Sequence, residues 1–505
     1  MEFFPPQPKF EAAYSAGKAQ VVYRQILADT QTTISALMKI GAEVPYTSLF
    51  ESVEGGANLG RYSFIALAPD VLWKRENNQT WINRIALHDR SMFELEEDQS
   101  KNPLDSLAAL HHESFVDMPD ELPPMSAGLV GFFSYDTVRH IEHLPTKNPD
   151  VLATPEAVFM RPTITAVFDR VKDLVTLVTP VYPKSNLNSD QAYEEATKRI
   201  SELIDLLEGP LPSSTAAKID IELPEAISNI RPEDYMNLVA RAKKYIAAGD
   251  IFQVVLSQRF SVPYDLSAFS LYRSLRRLNP SPFLFYLNFD GFSLVGSSPE
   301  ILVRSRQGEV TIRPIAGTRP RGSTPADDKA LAEDLLADPK ECAEHLMLLD
   351  LGRNDVGRVA EIGSVNVTDK FFVELYSHVM HIVSNVTGKL KHGLTAIDAM
   401  KAGFPAGTVS GAPKVRAMQI IDEFEPDQRG PYAGAVGYLA ANGDMDSTIT
   451  LRTGLVKDGM LHVQAGAGIV ADSVPEMEQA ECENKAKAIL RAAMDSYRYA
   501  KVGTN

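Results

Sequence analysis

The chain has 505 residues, of which 44% are hydrophobic and 23% charged, with a formal net charge of −16. This composition is typical of a soluble globular protein with room for two domains. Nucleic acid and anionic membrane are excluded as partners, because both need a basic face. Two cysteines make no disulfide framework, the N-terminal residues do not resemble a signal peptide, and no apolar run spans a bilayer, so we expect a cytoplasmic protein.

The first 200 or so residues alternate helix-period segments with strand-like runs. Two of these runs are YTSLFESV (46–53) and YSFIAL (62–67). The segment EGPLPSSTAAK, residues 208–218, is rich in Pro, Ser and Ala and predicts a linker or an exposed crossing loop. We therefore divide the chain into an N-terminal part, residues 1–215, and a C-terminal part, residues 216–505.

The second part combines an amphipathic helix with hairpins. PEDYMNLVARAKKYIAAG has an apolar helical stripe that ends at Gly249. IFQVVLSQRF is strand-like, and apolar runs on both sides of Asp290-Gly291 predict a hairpin. Near the C-terminus, strand-like runs separated by Asn442-Gly443 and Asp458-Gly459 predict an antiparallel meander, and a helix with Pro475 in its first turn follows. These elements indicate an α+β protein of antiparallel β-sheets with flanking helices.

Two Glu-x-x-Glu pairs are candidate metal ligands, and each lies beside one of the two cysteines. Each pair shares a helix face; the pairs are Glu341 with Glu344, and Glu478 with Glu481. One such pair alone is usually a solvated surface, whereas four carboxylates brought together need a cation. Oxygen ligands favour Mg²⁺ over zinc, and Cys342 points away from the face of Glu341. We therefore interpret Cys342 and Cys482 as packing residues.

Glycine-bearing loops and two polar side chains are further candidates. IAGTRPRG, AGTVSGAPK and QAGAGIV fit no phosphate or dinucleotide motif, but their backbone amides could bind a carboxylate; the alternative is that they only form turns. His381, in a strand-like run, is either a hydrogen-bonded structural residue or a catalyst. Arg452, inside the predicted strand TITLRT, is either a carboxylate ligand or a surface arginine.

Several long motifs, in order, carry a family resemblance. They include PIAGTRPRG, KECAEHLMLLDLGRND, SHVMHIVSNVTG, GTVSGAPKVRAMQIIDEFEP, STITLRT and QAGAGIV followed by EMEQAECENKA. Together they resemble the chorismate-utilising enzymes, and they are most similar to the anthranilate synthase component I family, the large subunits that begin tryptophan biosynthesis. The resemblance runs from about Arg231 to Met494 and implies the chorismate-binding fold, with a cleft for chorismate and Mg²⁺.

The resemblance also implies roles for individual residues. It makes Glu344 and Glu481 the main Mg²⁺ ligands, supported by Glu341 and Glu478. Around the reacting ring it places Glu300, as an acid for the departing hydroxyl, with Thr408 positioning it, and His381, assisting the final elimination. The implied contacts to chorismate are Gly317, Thr318, Tyr432, Arg452, Gly466, Ala467 and Gly468.

Sister enzymes share most of these motifs and differ at two positions. Aminodeoxychorismate synthases resemble this chain but typically carry a nucleophilic lysine at the position of Ala316. Isochorismate and salicylate synthases typically carry a lysine base at the position of Gln253. Neither alanine nor glutamine replaces a lysine amine, so the resemblance favours anthranilate synthase. The remaining alternatives are one of these sister enzymes or a catalytically silent regulatory protein with the same fold.

The resemblance implies one partner and one effector. The chain has no G-x-C-x-G nucleophile elbow, so ammonia is expected from a separate glutamine amidotransferase subunit, component II, in a heterotetramer of two copies of each subunit. Feedback inhibition by tryptophan is implied by LFES and NPSPFL, segments that enclose the amino acid in the family. The corresponding residues are Glu51, Ser52, Pro282, Phe283 and Leu284. Without the family, LFES is simply a core strand.

Overall fold

The computed structural model describes residues 2–54, 58–145, 148–212, 224–376 and 379–499. The α-helices in these ranges are α1 Gln7–Ser15, α2 Thr33–Ile40, α3 Pro103–Glu113, α4 Ser189–Glu208, α5 Pro232–Ala247, α6 Ala268–Leu278, α7 Pro325–Ala337, α8 Pro339–Val359, α9 Ala396–Gly403, α10 Gly407–Ser410, α11 Lys414–Phe424 and α12 Pro475–Ser496. Short 3₁₀ helices cover Pro124–Ser126, Tyr135–His140 and Tyr497–Tyr499.

The strands belong to one connected system of hydrogen-bonded sheets. They are β1 Gln20–Leu27, β2 Thr47–Glu54, β3 Asn58–Glu76, β4 Gln79–Asn83, β5 Glu94–Leu95, β6 Gly128–Phe133, β7 Ala157–Asp169, β8 Leu174–Val181, β9 Ile227–Ser228, β10 Gln253–Pro263, β11 Phe283–Asn288, β12 Phe292–Ser298, β13 Ile301–Arg306, β14 Glu309–Ile312, β15 Ile315–Pro320, β16 Asn366–Leu375, β17 Val379–Lys389, β18 Gly411–Ala412, β19 Ala435–Ala440, β20 Met445–Ile449, β21 Thr453–Lys457 and β22 Met460–Ile469.

Two long series of antiparallel strands leave the central strand β7, which also pairs with β8 and through it with β1. One series follows the order β7–β3–β2–β11–β12–β21–β22–β10. The other follows the order β7–β6–β19–β20–β13–β14–β17. The predicted boundary between residues 215 and 216 lies outside the described residues. Pairing joins the parts on either side of it twice, at β2–β11 and at β6–β19.

The helices cover this sheet system, and their sequences explain where they form. In α5, Pro232 takes the first turn, where no backbone N–H is needed, and the apolar stripe Tyr235, Val239 and Ala242 is buried. Gly249, with φ of +82°, follows the end of this helix as predicted. The C-terminal helix α12 packs on β22 and against α5 and α6, whereas α8 packs on β15 and β17. The α+β class is therefore confirmed.

Most local predictions agree with the structure, and two are wrong: the C-terminal meander and the placement of Arg452 inside a strand. The hairpin around Asp290-Gly291 is β11–β12, and the strand containing His381 is β17. The predicted C-terminal meander is instead two separate hairpins, β19–β20 and β21–β22. Strand β20 pairs with β13 and β21 pairs with β12, so the chain passes from one series of strands to the other between Ile449 and Thr453. No helix in the described ranges is both long and apolar enough to cross a membrane.

Candidate active site

Glu300 and Thr408 form a buried acid pair. Glu300 lies in the connection between β12 and β13 and is 7% exposed. The Thr408 hydroxyl, on the short helix α10, lies 3.0 Å from each carboxylate oxygen. Burial raises the pKa of Glu300 to about 8, although the hydrogen bond from Thr408 opposes the rise. Glu300 is therefore mostly protonated at neutral pH and can donate a proton.

His381 is held as a neutral imidazole. Its Nδ1 lies 2.9 Å from the carbonyl oxygen of Gly317 and 3.1 Å from the hydroxyl of Thr318, which is opposite it on β15. A carbonyl only accepts hydrogen bonds, so Nδ1 carries the hydrogen and Nε2 has the lone pair. Burial lowers the pKa of His381; the Gly317 carbonyl opposes this, and the charges of Arg452 and Lys485 lower the pKa further. The ring is thus a base at neutral pH.

Arg452 does not lie inside a strand, contrary to the prediction. It occupies the break between β20 and β21 with φ of +48°. Burial lowers the pKa of its guanidinium, whereas Tyr432 and Glu481 raise it. Within the described part of the chain, no hydrogen bond or ion pair holds this guanidinium. Arg452 is therefore a half-buried cation that can bind a ligand carboxylate.

The glycines of β22 leave room for neighbouring side chains. A Cβ atom at Gly466 would lie 2.8 Å from both the Tyr432 hydroxyl and the Leu256 carbonyl oxygen. A Cβ atom at Gly468 would lie 2.6 Å from Nε2 of Gln253. Ala467, between them, points into the core and is 0% exposed, so it can offer a ligand only its backbone. The glycines are required because Tyr432 and Gln253 lie directly against the strand.

Lys485 is a site residue that the sequence analysis missed. Its Nζ lies 2.8 Å from the carbonyl oxygen of Gly466 and 2.6 Å from Oε1 of Glu481. It also lies close enough to His381 to lower the pKa of that ring. The signal was present in the sequence, because residues four apart on a helix share a face, so Lys485 accompanies Glu481.

The four candidate metal ligands come from the N-terminal ends of two helices, as predicted. Burial raises the pKa of Glu344, and the charges of Glu341 and Glu481 raise it further. Glu341 also accepts a hydrogen bond from Arg319 at 3.0 Å. Burial likewise raises the pKa of Glu478. Glu344 therefore lies among negative charges that only partly have cationic partners.

The donor chemistry of this cluster fits a hard cation. All four side chains are carboxylates, which Mg²⁺ prefers. The free thiol of Cys482 is buried and hydrogen-bonded to the Tyr235 hydroxyl at 3.1 Å. The free thiol of Cys342 donates a hydrogen bond to the Leu336 carbonyl. Neither thiol is therefore directed at the glutamates. Among the described residues, no three His, Cys, Asp or Glu side chains form a closed metal cluster. Glu481 and Glu341 are instead held by Lys485 and Arg319.

The buried ion pair of Arg429 and Glu425 connects several elements of the site. Arg429 and Glu425 are 1% and 3% exposed and lie 2.6 Å apart. Arg429 donates to the carbonyl of Val409, the residue after Thr408, and its guanidinium lies 5.5 Å from the ring centre of Tyr432. Glu425 accepts hydrogen bonds from both the backbone and the hydroxyl of Ser257 on β10. The pair therefore ties Thr408, Tyr432 and β10 together.

A cavity of about 440 Å³ is lined by residues of β2 and of the segment before β13, among others. All five residues predicted to bind tryptophan line it, and so do Pro299 and Ile301, which flank Glu300. The carboxylate of Glu51, however, is fully occupied. It accepts hydrogen bonds from Thr33, Arg170, Tyr272 and Arg276, and its side chain is 0% exposed.

Known proteins resemble this chain over most of its length. The family model for chorismate binding enzymes matches residues 68–491. The chain is 52% identical to anthranilate synthase component 1 of Cereibacter sphaeroides, over 98% of this chain and 99% of the relative. It is 47% identical to anthranilate synthase component 1 of Pseudomonas putida, over 93% of this chain and 94% of the relative.

Solved structures also resemble this chain. Anthranilate synthase component I from Streptococcus pneumoniae aligns with a TM-score of 0.74 and 38% identity, over 92% of this chain and 98% of that one. The menaquinone-specific isochorismate synthase of Escherichia coli shares the fold, with a TM-score of 0.67 at 20% identity over 97% of this chain and 98% of that one. The chain therefore belongs to the chorismate-binding enzyme family and, within it, to the anthranilate synthase component 1 proteins.

Proposed function

We propose that this chain converts chorismate and ammonia to anthranilate and pyruvate, the first step of tryptophan biosynthesis. The observation that carries the proposal is that a protonated carboxyl, Glu300, and a neutral imidazole, His381, lie near the guanidinium of Arg452, for which the described residues supply no hydrogen bond or ion pair. These are an acid, a base and an anion ligand. Ala316 and Gln253 supply no lysine amine for the reactions of the sister enzymes.

Substrate binding follows from the distribution of charge. Chorismate carries two carboxylates, and the overall chain is acidic, so local cations and backbone amides must hold them. In this proposal Arg452 and the Tyr432 hydroxyl receive the enolpyruvyl carboxylate, together with the backbone from Gly466 to Gly468. The support is that the Tyr432 hydroxyl lies directly against Gly466. Lys485 adds a second positive charge at the same strand. Gly317 and Thr318 position the ring from the side of His381.

Glu300 and His381 act in different steps of the proposed reaction. Ammonia forms a bond to C2 of chorismate, the ring double bonds shift, and the C4 hydroxyl leaves as water after taking the proton of Glu300. The added nitrogen then loses one proton, which restores the protonated Glu300. Thr408 orients the carboxyl for this transfer. Nε2 of His381 then removes the C2 proton as the enolpyruvyl C–O bond breaks. The released enolate takes a proton at its methylene carbon, which balances the proton removed from C2, and departs as pyruvate, while the ring becomes aromatic.

We propose Mg²⁺ as the cofactor, held mainly by Glu344 and Glu481 with Glu341 and Glu478 in support. When bound, such an ion orients the ring carboxylate and withdraws electrons from the diene. The support is the all-oxygen donor set and the raised pKa of Glu344, which is caused first by burial and then by the charges of Glu341 and Glu481. Lys485 and Arg319, which now pair with two of these carboxylates, are the cations that would share them with the metal.

We propose further that ammonia comes from glutamine through a separate amidotransferase subunit, in a heterotetramer located in the cytoplasm. The support is that the thiols of the two cysteines of this chain are hydrogen-bonded to other groups and lie in no nucleophile elbow. A glutaminase needs an activated thiolate. Burial instead raises the pKa of the Cys482 thiol to about 11.

We propose tryptophan as a feedback inhibitor that binds in the 440 Å³ cavity. Pro282, Phe283 and Leu284 provide apolar surface for an indole, and Ser52 provides a hydroxyl. Glu51 acts indirectly in this proposal. Its carboxylate ties β2 to α6 through Tyr272 and Arg276, which keeps Ser52 at the cavity wall.

The test is product analysis with the purified chain, chorismate and Mg²⁺. We expect anthranilate, followed by its fluorescence, when an ammonium salt is supplied, and no glutamine-dependent turnover until the amidotransferase subunit is added. Accumulation of isochorismate or aminodeoxychorismate would assign the chain to a sister activity. Glutamine-dependent turnover by the isolated chain would remove the need for a partner.

A further inference from the structure

A small cavity is lined by residues of β10, of β22 and of the connection between β20 and β21, which carries Arg452. Its volume of about 20 Å³ is enough for one water-sized molecule. Three of the residues that line it have a buried side-chain atom without a hydrogen-bond partner in the described part of the chain: Nη1 of Arg259, Oγ1 of Thr450 and Oε1 of Gln464. Buried polar atoms are nearly always hydrogen-bonded, so three such atoms around one cavity indicate a ligand.

The strand register explains why these side chains converge. Arg259 on β10 and Gln464 on β22 are directly opposite each other, so both side chains lie on the same face of the sheet. Thr450, which is 0% exposed, reaches the same cavity from the connection between β20 and β21. One nitrogen of each of the other two residues is already bonded. Nη2 of Arg259 donates to Asp427 at 2.7 Å, and Nε2 of Gln464 donates to the Ser257 hydroxyl at 2.8 Å.

The remaining donors and acceptors select a neutral occupant. The Ser257 hydroxyl donates to Glu425, so it accepts from Nε2 of Gln464, and the carbonyl oxygen of Gln464 is left as an acceptor. This oxygen opposes an anion, whereas the N–H donor of Arg259 opposes a cation. Water fits all three atoms, because it accepts a hydrogen bond from Arg259, donates one to Gln464 and forms a third with the Thr450 hydroxyl. Free ammonia offers the same combination, but water is far more abundant in solution.

We propose that this cavity binds one water molecule, and that the water positions Arg452 by joining Thr450 to β10 and β22. Thr450 precedes Arg452 by two residues, and Arg452 has φ of +48°, a left-handed conformation that a non-glycine residue keeps only where its surroundings hold it. Tyr432, the other side chain proposed to receive the enolpyruvyl carboxylate, also lines the cavity. The positioning role rests on the proposed function, whereas the water site does not.

A crystal structure of the chain, from crystals grown without ammonium salts, tests the water site. We expect an electron-density peak within hydrogen-bond distance of Nη1 of Arg259, Oγ1 of Thr450 and Oε1 of Gln464. A cavity without a peak in the wild type would overturn the inference. A peak that forms only when ammonium is added would also overturn it, because the occupant would then be ammonia.

Chorismate titration, with Mg²⁺ and without ammonia, tests the positioning role. Thr450→Val keeps the shape of the side chain but removes its hydroxyl, so the Kd for chorismate should rise about fivefold. The kcat at saturating chorismate should change less than about twofold, because a displaced Arg452 weakens binding rather than the chemical steps. Thr450→Ser, which retains the hydroxyl, should restore most of the affinity.

Thr179→Val is the matched control. Thr179 is also 0% exposed but lies on β8, so its substitution should leave the Kd for chorismate unchanged. An unchanged Kd in Thr450→Val would overturn the positioning role, and so would a Thr450→Ser variant as weak as Thr450→Val. If the wild-type chain bound no chorismate, the proposed function would fail and the positioning role with it, while the electron density would still decide the water site.

Discussion

The ring of Tyr376 lies edge-on to the ring of His381, with 5.2 Å between their centroids. Tyr376 also lines the 440 Å³ cavity, and its hydroxyl donates to Glu374, which pairs with Arg313 in the same cavity wall. Burial raises the pKa of the Tyr376 hydroxyl, and Glu300 is among the groups that raise it further, so the proposed catalytic acid is close as well. One side chain therefore touches both the proposed effector cavity and the proposed catalytic base.

This contact predicts that Tyr376→Leu impairs both catalysis and control. Losing the aromatic ring frees His381 to move, so kcat should fall roughly tenfold, because a poorly positioned base transfers protons less often. Tryptophan inhibition should weaken in the same variant, since the cavity wall that faces the site is altered. Tyr376→Phe is the control, because it keeps the ring and loses only the bond to Glu374. A Leu variant with normal kcat would refute the coupling.

The second prediction concerns pH. Glu300 must be protonated to act as an acid, and burial raises its pKa to about 8, so kcat should fall as pH rises through about 8 at constant free ammonia. Thr408→Val removes the hydrogen bond that holds this pKa down, so the falling limb should move to higher pH. Glu300→Gln should lose about two orders of magnitude in kcat and show no such limb. A rate that rises through pH 8 would contradict the role of Glu300.

The third prediction concerns the metal. Glu344→Ala and Glu481→Ala should each lower activity by about two orders of magnitude at ordinary Mg²⁺ concentrations, with thermal unfolding unchanged, because each loses a carboxylate ligand at the end of a helix. Cys342→Ala and Cys482→Ala are the controls and should retain most activity. Loss of bound metal in a cysteine variant, with normal binding in the glutamate variants, would support a zinc site instead.

The fourth prediction concerns tryptophan. Ser52→Phe places a ring in the 440 Å³ cavity, so the tryptophan concentration for half inhibition should rise about tenfold or more while the uninhibited rate changes little. Ser91→Phe makes the same substitution at an exposed position outside this cavity and should leave inhibition intact. Equal tryptophan sensitivity in wild type and Ser52→Phe would place the effector elsewhere.

Local patterns were enough to predict the elements that carry the site. The spacing of Glu341 and Glu344 indicates one helix face, and alternation around His381 indicates a strand; both elements are present. Such features depend on helix and strand periodicity within a short window, so they can be recognised without the rest of the fold.

Features set by distant partners could not be predicted in this way. TITLRT has the composition of a strand, but pairing of β20 with β13 and of β21 with β12 breaks it and exposes Arg452 to the site. Glu51 looked suited to an α-amino group, yet its carboxylate is taken by Arg170 and Arg276, which are over 100 residues away in sequence. Long-range pairing determined both outcomes.

The central claim is that this chain adds ammonia itself to chorismate and releases anthranilate. Mass spectrometry of the product tests it most directly, with the isolated chain, chorismate, Mg²⁺, ¹⁵N-ammonium and unlabelled glutamine in one reaction. We predict anthranilate that carries ¹⁵N in full, because only free ammonia can reach C2 without an amidotransferase. Unlabelled anthranilate, or isochorismate or aminodeoxychorismate as the accumulating product, would contradict the claim.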